Sequence, residues 1–192
     1  MTNWWWLRHG PTHSDGLIGW TDLPADLSDS AALARLEKRL PKTALVVSSD
    51  LSRCVATADA IQGNRTRLPH AADLRELNFG AWEAKTFAEV AANDPETARA
   101  YWSNPGDIAP PEGESWNQTA ARVGRFVDRM NREYAGGDII AVAHFGVILT
   151  QLQRASRIPA ASALSFKIEN LSLTRLEFLD PQWRVHGVNF RP

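Results

Sequence analysis

Cysteine is almost absent from this chain of 192 residues, because Cys54 is the single one it has. An internal disulfide is therefore excluded, which suits a protein of a reducing compartment. No apolar run approaches the roughly 20 residues needed to cross a bilayer. The run at residues 4–7 is too short for a signal sequence and has no basic region before it. We therefore expect a cytoplasmic protein with no membrane partner.

An excess of one sign of charge is also lacking. The chain has 21 Lys and Arg residues against 22 Asp and Glu residues, and its formal net charge is −1. We therefore expect no basic surface for nucleic acid. Low-complexity tracts and repeats are missing as well, and 44% of the residues are hydrophobic, as in an ordinary globular protein. This length is enough for one core, so we predict a single domain over residues 1–192.

Short apolar strands alternate with amphipathic helices along the chain. Continuous apolar runs predict buried strands at residues 4–7, 44–47 and 138–144, and two further strands, "LSLTRLEF" and "WRVHGVNF", close the chain. Helices are predicted over 29–40, 51–62, 115–134 and 147–156, the second capped by Ser49 or Asp50. The pattern predicts an α/β three-layer sandwich with a mainly parallel central sheet and helices on both faces. Residues 64–114 are expected to form an excursion over one end of that sheet.

Cationic side chains follow the predicted parallel strands at the point where each one ends. Arg8, His9 and Gly10 come after the first strand, Arg53 lies in the first turn of the helix after the second, and His144 ends the third. In open α/β sheets ligands bind at this edge. Arginine grips phosphate oxygens in a bidentate fork, and a helix N-terminus adds free N–H groups. The sequence therefore predicts a phosphate pocket, which glycine at position 10 lets the backbone approach closely.

Two other chemistries are weighed against this pocket. His9 and His13 have the spacing of a helical metal pair, but Gly10 and Pro11 between them disfavour a helix. Cys54 lacks the Cys-x5-Arg spacing of cysteine phosphatases and is expected to be a packed thiol. We therefore predict neither a metal nor a cofactor.

The segment "LRHGPT" resembles the Arg-His-Gly signature of the histidine phosphatase superfamily, which includes the phosphoglycerate mutases. The resemblance extends along most of the chain, because further blocks of the family follow in order. These blocks are "GWTDLPADLS", "SSDLSRCVATA", "LRELNFGAWE", "PEGES" and "VAHFGVI". One tripeptide is a weak signal, whereas the ordered set is specific.

The resemblance implies a metal-independent phosphomonoesterase that acts on a small-molecule phosphate. It implies that His9 is the nucleophile and forms a phosphohistidine, and that Arg8, Arg53 and His144 hold the transferred phosphoryl group. Glu76 would give a proton to the leaving oxygen and then activate water. Short bacterial members, among them the α-ribazole phosphatases, are similar to this chain. The substrate-binding residues we predict are Arg8, Gly10, Thr12, Gly19, Trp20, Arg53, Trp82 and Phe145.

The chain departs from the family at two positions. The asparagine that often touches phosphate is missing from "HSDGLIG", where His13, Ser14 or a backbone N–H could replace it. Phe145 stands after His144 where glycine is common in the family, which suggests an apolar or ring-bearing leaving group. Glu83 is an alternative acid, for which we favour a salt bridge.

Two other functions remain open alongside the phosphatase. A cofactor-dependent phosphoglycerate mutase would resemble the chain, but such mutases carry an additional basic, tyrosine-bearing segment. Here "NFGAWEAKTFAEV" offers Lys85 and no tyrosine. A catalytically silent phosphate-binding domain is the third hypothesis. The expected partner is a small-molecule phosphate ester, and a homodimer stays open.

Overall fold

The computed structural model describes residues 1–192 and has one six-stranded sheet at its centre. The strands lie in the order β3-β2-β4-β1-β5-β6. The first four of these are mutually parallel, and β5 and β6 run antiparallel to their neighbours. The predicted mainly parallel sheet is confirmed. The strands are β1 (Thr2–Arg8), β2 (Leu45–Ser48), β3 (Thr66–Arg67), β4 (Asp138–Ala143), β5 (Leu173–Phe178) and β6 (Trp183–Phe190).

Helices cover both faces of the sheet, as predicted. Those of one face, α1 and α2, share an apolar cluster with Leu7 and Val142, and those of the other, α5 and α6, share one with Trp4 and Ala141. The architecture is therefore a three-layer sandwich. The helices are α1 (Ser30–Arg39), α2 (Ser52–Ile61), α3 (Phe87–Asn93), α4 (Pro95–Ser103), α5 (Trp116–Glu133), α6 (Phe145–Ser156) and α7 (Ala160–Ala163).

The tryptophan-rich strand β1 lies between β4 and β5 and is buried on both faces. Trp4 and Trp6 point to the same side, where their rings stack with centroids 5.1 Å apart and are fully buried. Trp5 and Leu7 pack on the opposite side. Because successive side chains of a strand alternate between faces, this apolar run supplies both cores at once. The strand thereby fixes the position of Arg8 at its carboxyl end.

Two helix starts differ from the prediction. Helix α2 has Leu51 at its N-cap and no side-chain cap, so the cap predicted at Ser49 or Asp50 is wrong. The carboxylate of Asp50 is instead paired with Arg75 at 2.6 Å, and the Ser49 hydroxyl accepts the N–H of Leu51 itself. Helix α6 begins at Phe145, two residues earlier than predicted.

Residues 64–114 contain β3, α3, α4 and two 3-10 turns, and they pack on the same core as the sheet. Val90 of α3 and Tyr101 of α4 belong to the apolar cluster that includes Trp4 and Trp6. Residues of this segment also line a cavity with Arg8, at the edge where β1 ends. None of the helices combines the length and the apolar character needed to traverse a bilayer.

Candidate active site

The histidines predicted at two strand ends meet at one edge of the sheet. His9 follows β1 and His144 follows β4, and their rings lie edge to face with centroids 5.0 Å apart. Arg53, in the first turn of α2, donates from Nε to Nδ1 of His144 at 3.3 Å. Strands β1 and β4 are paired in parallel with Arg8 opposite Ala143. The residues that follow each strand therefore emerge side by side.

His9 is held as a neutral imidazole with one free nitrogen. The ring is buried, and Nδ1 lies 2.6 Å from the carbonyl oxygen of Gly10. Because a carbonyl oxygen only accepts, Nδ1 carries the proton and Nε2 keeps its lone pair. Burial, together with the positive charges of Arg53 and Arg8, lowers the pKa of His9 to about 3. Above that pH, Nε2 is available as a nucleophile.

The guanidinium of Arg53 is fully buried and fixed on three sides. Besides its bond to His144, it donates to the carbonyl oxygens of Thr21 at 2.8 Å and Gly19 at 2.5 Å. Each terminal nitrogen keeps a second N–H that can donate to an anion. His144 has Arg53 at Nδ1 and the Cys54 sulfur 3.3 Å from Nε2. The contact of His144 with a phosphoryl group therefore stays a prediction.

Arg8 has a donor that nothing in the protein satisfies. Its Nη1 donates to the carbonyl oxygen of Ile168 at 2.6 Å, whereas its Nε is buried without a hydrogen-bond partner. The guanidinium also lies 5.6 Å from the centre of the Phe145 ring. Burial lowers the pKa of Arg8, and the charge of Glu76 opposes that shift. The side chain remains a cation, and an arriving anion would pair its orphaned donor.

Glu76 is a buried carboxyl group that retains its proton more readily than an exposed one. Burial raises its pKa. The N–H groups of Gly146 and Leu77, which donate to the carboxyl group at 3.0–3.1 Å, lower the pKa and so oppose that shift. Glycine is required at position 146, because an added Cβ would meet the Leu77 side chain and lie 2.7 Å from Oε1 of Glu76. A proton held in this way is what a general acid needs.

Glu83 does not form the predicted salt bridge. Its carboxylate accepts the N–H groups of Gly19 at 3.2 Å, Trp20 at 2.7 Å, Thr21 at 3.0 Å and Phe79 at 3.1 Å. It also accepts the Thr21 hydroxyl at 2.6 Å. The carbonyl groups of the same loop, residues 19–21, accept hydrogen bonds from the buried guanidinium of Arg53. Glu83 therefore fixes the loop that positions Arg53.

Two further polar residues, which are not among the predicted site residues, support the site. The Thr57 hydroxyl accepts the N–H of Gly10 at 3.0 Å and donates to the carbonyl oxygen of Arg53 at 2.7 Å. The amide of Asn170 donates to the carbonyl oxygen of His9 at 2.8 Å. Thr57 lies in the block "SSDLSRCVATA", which could have indicated it. Asn170 follows an irregular loop and had no such signal.

Arg122 of α5 fixes the segment that carries the candidate acid. It is paired with Glu114 at 2.7 Å and donates to the carbonyl oxygens of Asp73 at 2.8 Å and Arg75 at 2.9 Å. A further N–H reaches the carbonyl oxygen of Glu76 at 3.2 Å. One half-buried cation thus satisfies three backbone carbonyl groups of this segment.

The two tryptophans predicted at the substrate have other contacts within the protein. Trp82 is 3% exposed and packs edge-on against Tyr101 at 5.4 Å, so it belongs to the core, and its substrate contact stays a prediction. Trp20 is half-buried and donates from its indole to the carbonyl oxygen of Glu76 at 2.9 Å. The guanidinium of Arg75 covers its ring at 4.9 Å. Trp20 therefore acts on the site through the backbone next to the acid.

The loop after β1 has exposed side chains at the positions considered for the missing asparagine. His13 is paired with Asp26 at 2.8 Å and its side chain is 67% exposed. The hydroxyl of Ser14 accepts the N–H of Gly16. Both side chains thus have other partners, and replacement by a backbone N–H stays a prediction. Thr12 is half-buried in the same loop.

A cavity of about 180 Å³ opens beside Arg8 and Glu76. Ten of its 15 lining residues are hydrophobic, and Phe145 lies on its wall. No group of three or more His, Cys, Asp or Glu side chains is arranged to ligate a metal. The predicted binding residues that do not line this cavity are Gly10, Thr12, Gly19, Trp20, Arg53 and Trp82.

Comparison with known families gives one match along nearly the whole chain. The family described as histidine phosphatase superfamily (branch 1) matches residues 4–191. The chain is 34% identical over 186 residues to a bifunctional protein of Mycobacterium tuberculosis, and it spans about half the length of that relative, 49%.

Two shorter relatives are similar over most of their own length. A glucosyl-3-phosphoglycerate phosphatase of Mycobacterium tuberculosis is 35% identical over 173 residues, which are 81% of this chain and 76% of the relative. An adenosylcobalamin/alpha-ribazole phosphatase of Salmonella typhimurium is 28% identical over 172 residues, 86% of this chain and 85% of the relative. Among solved structures, YhfR of Bacillus stearothermophilus matches with a TM-score of 0.88 and 26% identity, over 97% of this chain and 96% of that chain.

Proposed function

Since the chain belongs to branch 1 of the histidine phosphatase superfamily, we propose that it hydrolyses small-molecule phosphate monoesters through a phosphohistidine. The observation that carries this proposal is the state of His9. Its imidazole is neutral, its proton is held on Nδ1 by a backbone carbonyl, and its free Nε2 lies in the field of Arg8 and Arg53. A nucleophile in that state needs no base to activate it.

The reaction has two displacements on phosphorus. In the first, Nε2 of His9 attacks the phosphorus atom, the ester P–O bond breaks, and the leaving oxygen takes the proton of Glu76. In the second, the Glu76 carboxylate takes a proton from a water molecule, whose oxygen attacks phosphorus as the P–N bond breaks. Inorganic phosphate leaves, and His9 and Glu76 return to their starting states.

Charge stabilisation comes from fixed guanidinium groups. Phosphoryl transfer depends on positioning and electrostatics more than on covalent assistance. Arg8 has an unsatisfied buried Nε, and Arg53 keeps free N–H groups on a side chain that backbone carbonyls hold rigid. Donors that are fixed before the substrate arrives need no reorganisation during the reaction.

Relatives support the class of substrate. Those that are named phosphatases act, by their names, on α-ribazole phosphate and on glucosyl-3-phosphoglycerate, which are both small molecules. We also propose a single domain over 1–192, with 64–114 as an excursion over the active-site end; the apolar cluster shared by this segment and the sheet supports it. Cytoplasmic location, a homodimer and the lack of a nucleic-acid partner stay predictions.

Trapping the intermediate tests the proposal. The protein is mixed with phenyl phosphate, quenched in alkali, and measured as an intact chain by mass spectrometry. We expect one added phosphoryl group that is lost in acid and that is absent from His9→Ala. His13→Ala is the matched control, because His13 lies in the same loop but is exposed and paired with Asp26. It should form the adduct normally. An unmodified wild-type chain that releases no phosphate would identify a silent phosphate-binding domain.

The mutase alternative is separated by a second assay. With 3-phosphoglycerate and a bisphosphoglycerate primer, we expect phosphate release to exceed isomerisation. Lys85 is exposed, and Arg8 is the one cation on the wall of the cavity beside the site, so a second phosphate would find little there to bind. Isomerisation faster than phosphate release would favour the mutase.

A further inference from the structure

The cavity beside Arg8 and Glu76 has two chemically different ends. The two charged groups that line it, Arg8 and Glu76, both belong to the phosphoryl end. Away from them the wall is made of aromatic and aliphatic side chains. Its aromatic side chains are those of Phe79, Phe87, Tyr101, Trp102, Trp116 and Phe145, with Leu164 beside them.

The aromatic wall comes mainly from the excursion. Three of its residues, Phe79, Phe87 and Trp102, belong to the excursion of residues 64–114. The ring centroid of Trp102 lies 6.3 Å from that of Phe79 and 5.3 Å from that of Phe87. Phe87 is 58% exposed although it is a large apolar side chain. An exposed apolar residue at the rim of an apolar cavity is what a ligand-binding mouth requires.

Charge on the leaving group would be unfavourable in this cavity. A carboxylate or a second phosphate placed against the aromatic wall would lose its hydration without gaining a cation. Arg8 is already needed by the phosphoryl group, and no other lining residue is basic. A sugar would bring several hydroxyl groups to a wall with few partners for them.

The volume of the cavity matches that of a small group. An apolar cavity of about 150 Å³ lined by Leu, Ile and Phe side chains binds benzene. The present cavity, of about 180 Å³, therefore has room for one six-membered ring or a branched chain of similar volume.

We infer that the phosphate monoester hydrolysed by this protein carries an uncharged apolar group, about the size of one ring, on the ester oxygen. This inference rests on the proposed phosphatase activity and names the class of its substrate. It separates the chain from its relatives named for a sugar phosphoglycerate and a ribazole phosphate, whose leaving groups are larger and more polar. Phe145, beside the Arg8 guanidinium, is the residue that joins the apolar wall to the phosphoryl end.

The test compares three esters whose leaving groups are all alkyl alcohols, so that their intrinsic reactivities are similar: benzyl phosphate, glucose 6-phosphate and 3-phosphoglycerate. We expect kcat/KM for benzyl phosphate to exceed that for the other two by about 100-fold. Phe145→Gly should lower the preference for benzyl phosphate about tenfold. An unchanged preference in that variant would overturn the assignment of Phe145.

A charge-gain variant makes the same test in the opposite direction. Leu164→Arg places a cation on the apolar wall and should raise kcat/KM for 3-phosphoglycerate at least tenfold, whereas the volume-matched control Leu164→Met adds no cation and should give no such rise. Equal hydrolysis of the three esters by the wild type, with His9 phosphorylated, would overturn this inference while the proposed activity stands. Hydrolysis of none of them, with no phosphohistidine, would overturn both.

Discussion

Replacing Glu83 by glutamine is the sharpest test of how the site is held together. One carboxylate oxygen accepts the N–H groups of Trp20 and Phe79, and the other accepts those of Gly19 and Thr21 and the Thr21 hydroxyl. A glutamine side chain has a single acceptor oxygen. Whichever way its amide is turned, two backbone N–H groups face an NH2 group and lose their acceptor.

The size of the effect follows from these two orphaned donors. Each buried donor left without a partner costs about 1–3 kcal/mol. Because Glu83 is only half-buried, we expect a total loss of about 3 kcal/mol in the free energy of unfolding. In a domain of this size that corresponds to a fall in Tm of roughly 6–12 °C.

Activity should fall for a separate reason. The loop that Glu83 fixes presents the carbonyl oxygens of Gly19 and Thr21 to the Arg53 guanidinium. A small displacement of a positioned catalytic group costs up to about 100-fold in rate. We expect kcat/KM to fall between about tenfold and 100-fold at a temperature where the variant remains folded.

The assay pairs urea unfolding with steady-state kinetics on one ester. Glu89→Gln is the matched control, since Glu89 also accepts a backbone N–H and a hydroxyl, both from Thr86, but caps the exposed helix α3. It should cost no more than about 1 kcal/mol and leave kcat/KM unchanged. If Glu83→Gln behaved like this control in both measurements, Glu83 would not be a positioning residue.

Three further substitutions test other parts of the structure. Glu76→Gln should abolish turnover and flatten the pH dependence of the free energy of unfolding. Because the pKa of Glu76 is raised above 4.5 in the folded protein, this group stabilises the fold at low pH, and the stabilisation is lost as the pH rises through that pKa. Urea unfolding at several pH values measures the effect. Gly146→Ala should lower kcat at least tenfold in a phosphate-release assay, because its Cβ would displace the Glu76 carboxylate. Arg65→Met should cost about 3 kcal/mol in urea unfolding, because Arg65 is 5% exposed and donates to backbone carbonyls at the ends of α1 and α2.

Each of these results has a contrary outcome. A Glu76→Gln variant whose stability depends on pH as the wild type does would place the titration on another group. Full activity in Gly146→Ala would mean that the position of the Glu76 carboxyl group does not depend on close contact with residue 146. A loss below about 1 kcal/mol in Arg65→Met would mean that water satisfies those carbonyl groups.

The meeting of the site's main residues could be predicted because it depends on strand polarity. Once three apolar runs are recognised as parallel strands, Arg8, His9 and His144 must emerge at one edge, and Arg53 follows from the helix after β2. Residues whose roles depend on long-range partners could not be found in this way. Glu83 could not be assigned its role from its sequence neighbours, because three of the four backbone N–H groups that it accepts are more than 60 residues away.

Local signals also fail where a tertiary contact competes for the same group. Asp50 is a suitable cap by residue type, but Arg75 takes its carboxylate and α2 begins without a side-chain cap. Trp82 stands in a block that resembles an active-site segment, yet the packing of Tyr101 against its ring buries it in the core. In both cases the residue type suits the predicted role, but a tertiary contact determines the role that the residue has.

Burial sets the proton positions of the nucleophile and the acid together. Excluding water lowers the pKa of His9 and raises that of Glu76, so burial favours the uncharged form of both groups. Arg8 and Arg53 keep their charges, because arginine does not lose its proton. Two fixed positive charges match the two negative charges of a phosphate monoester dianion. The same burial that readies His9 to attack and Glu76 to donate a proton therefore leaves a pocket whose charge is complementary to the substrate.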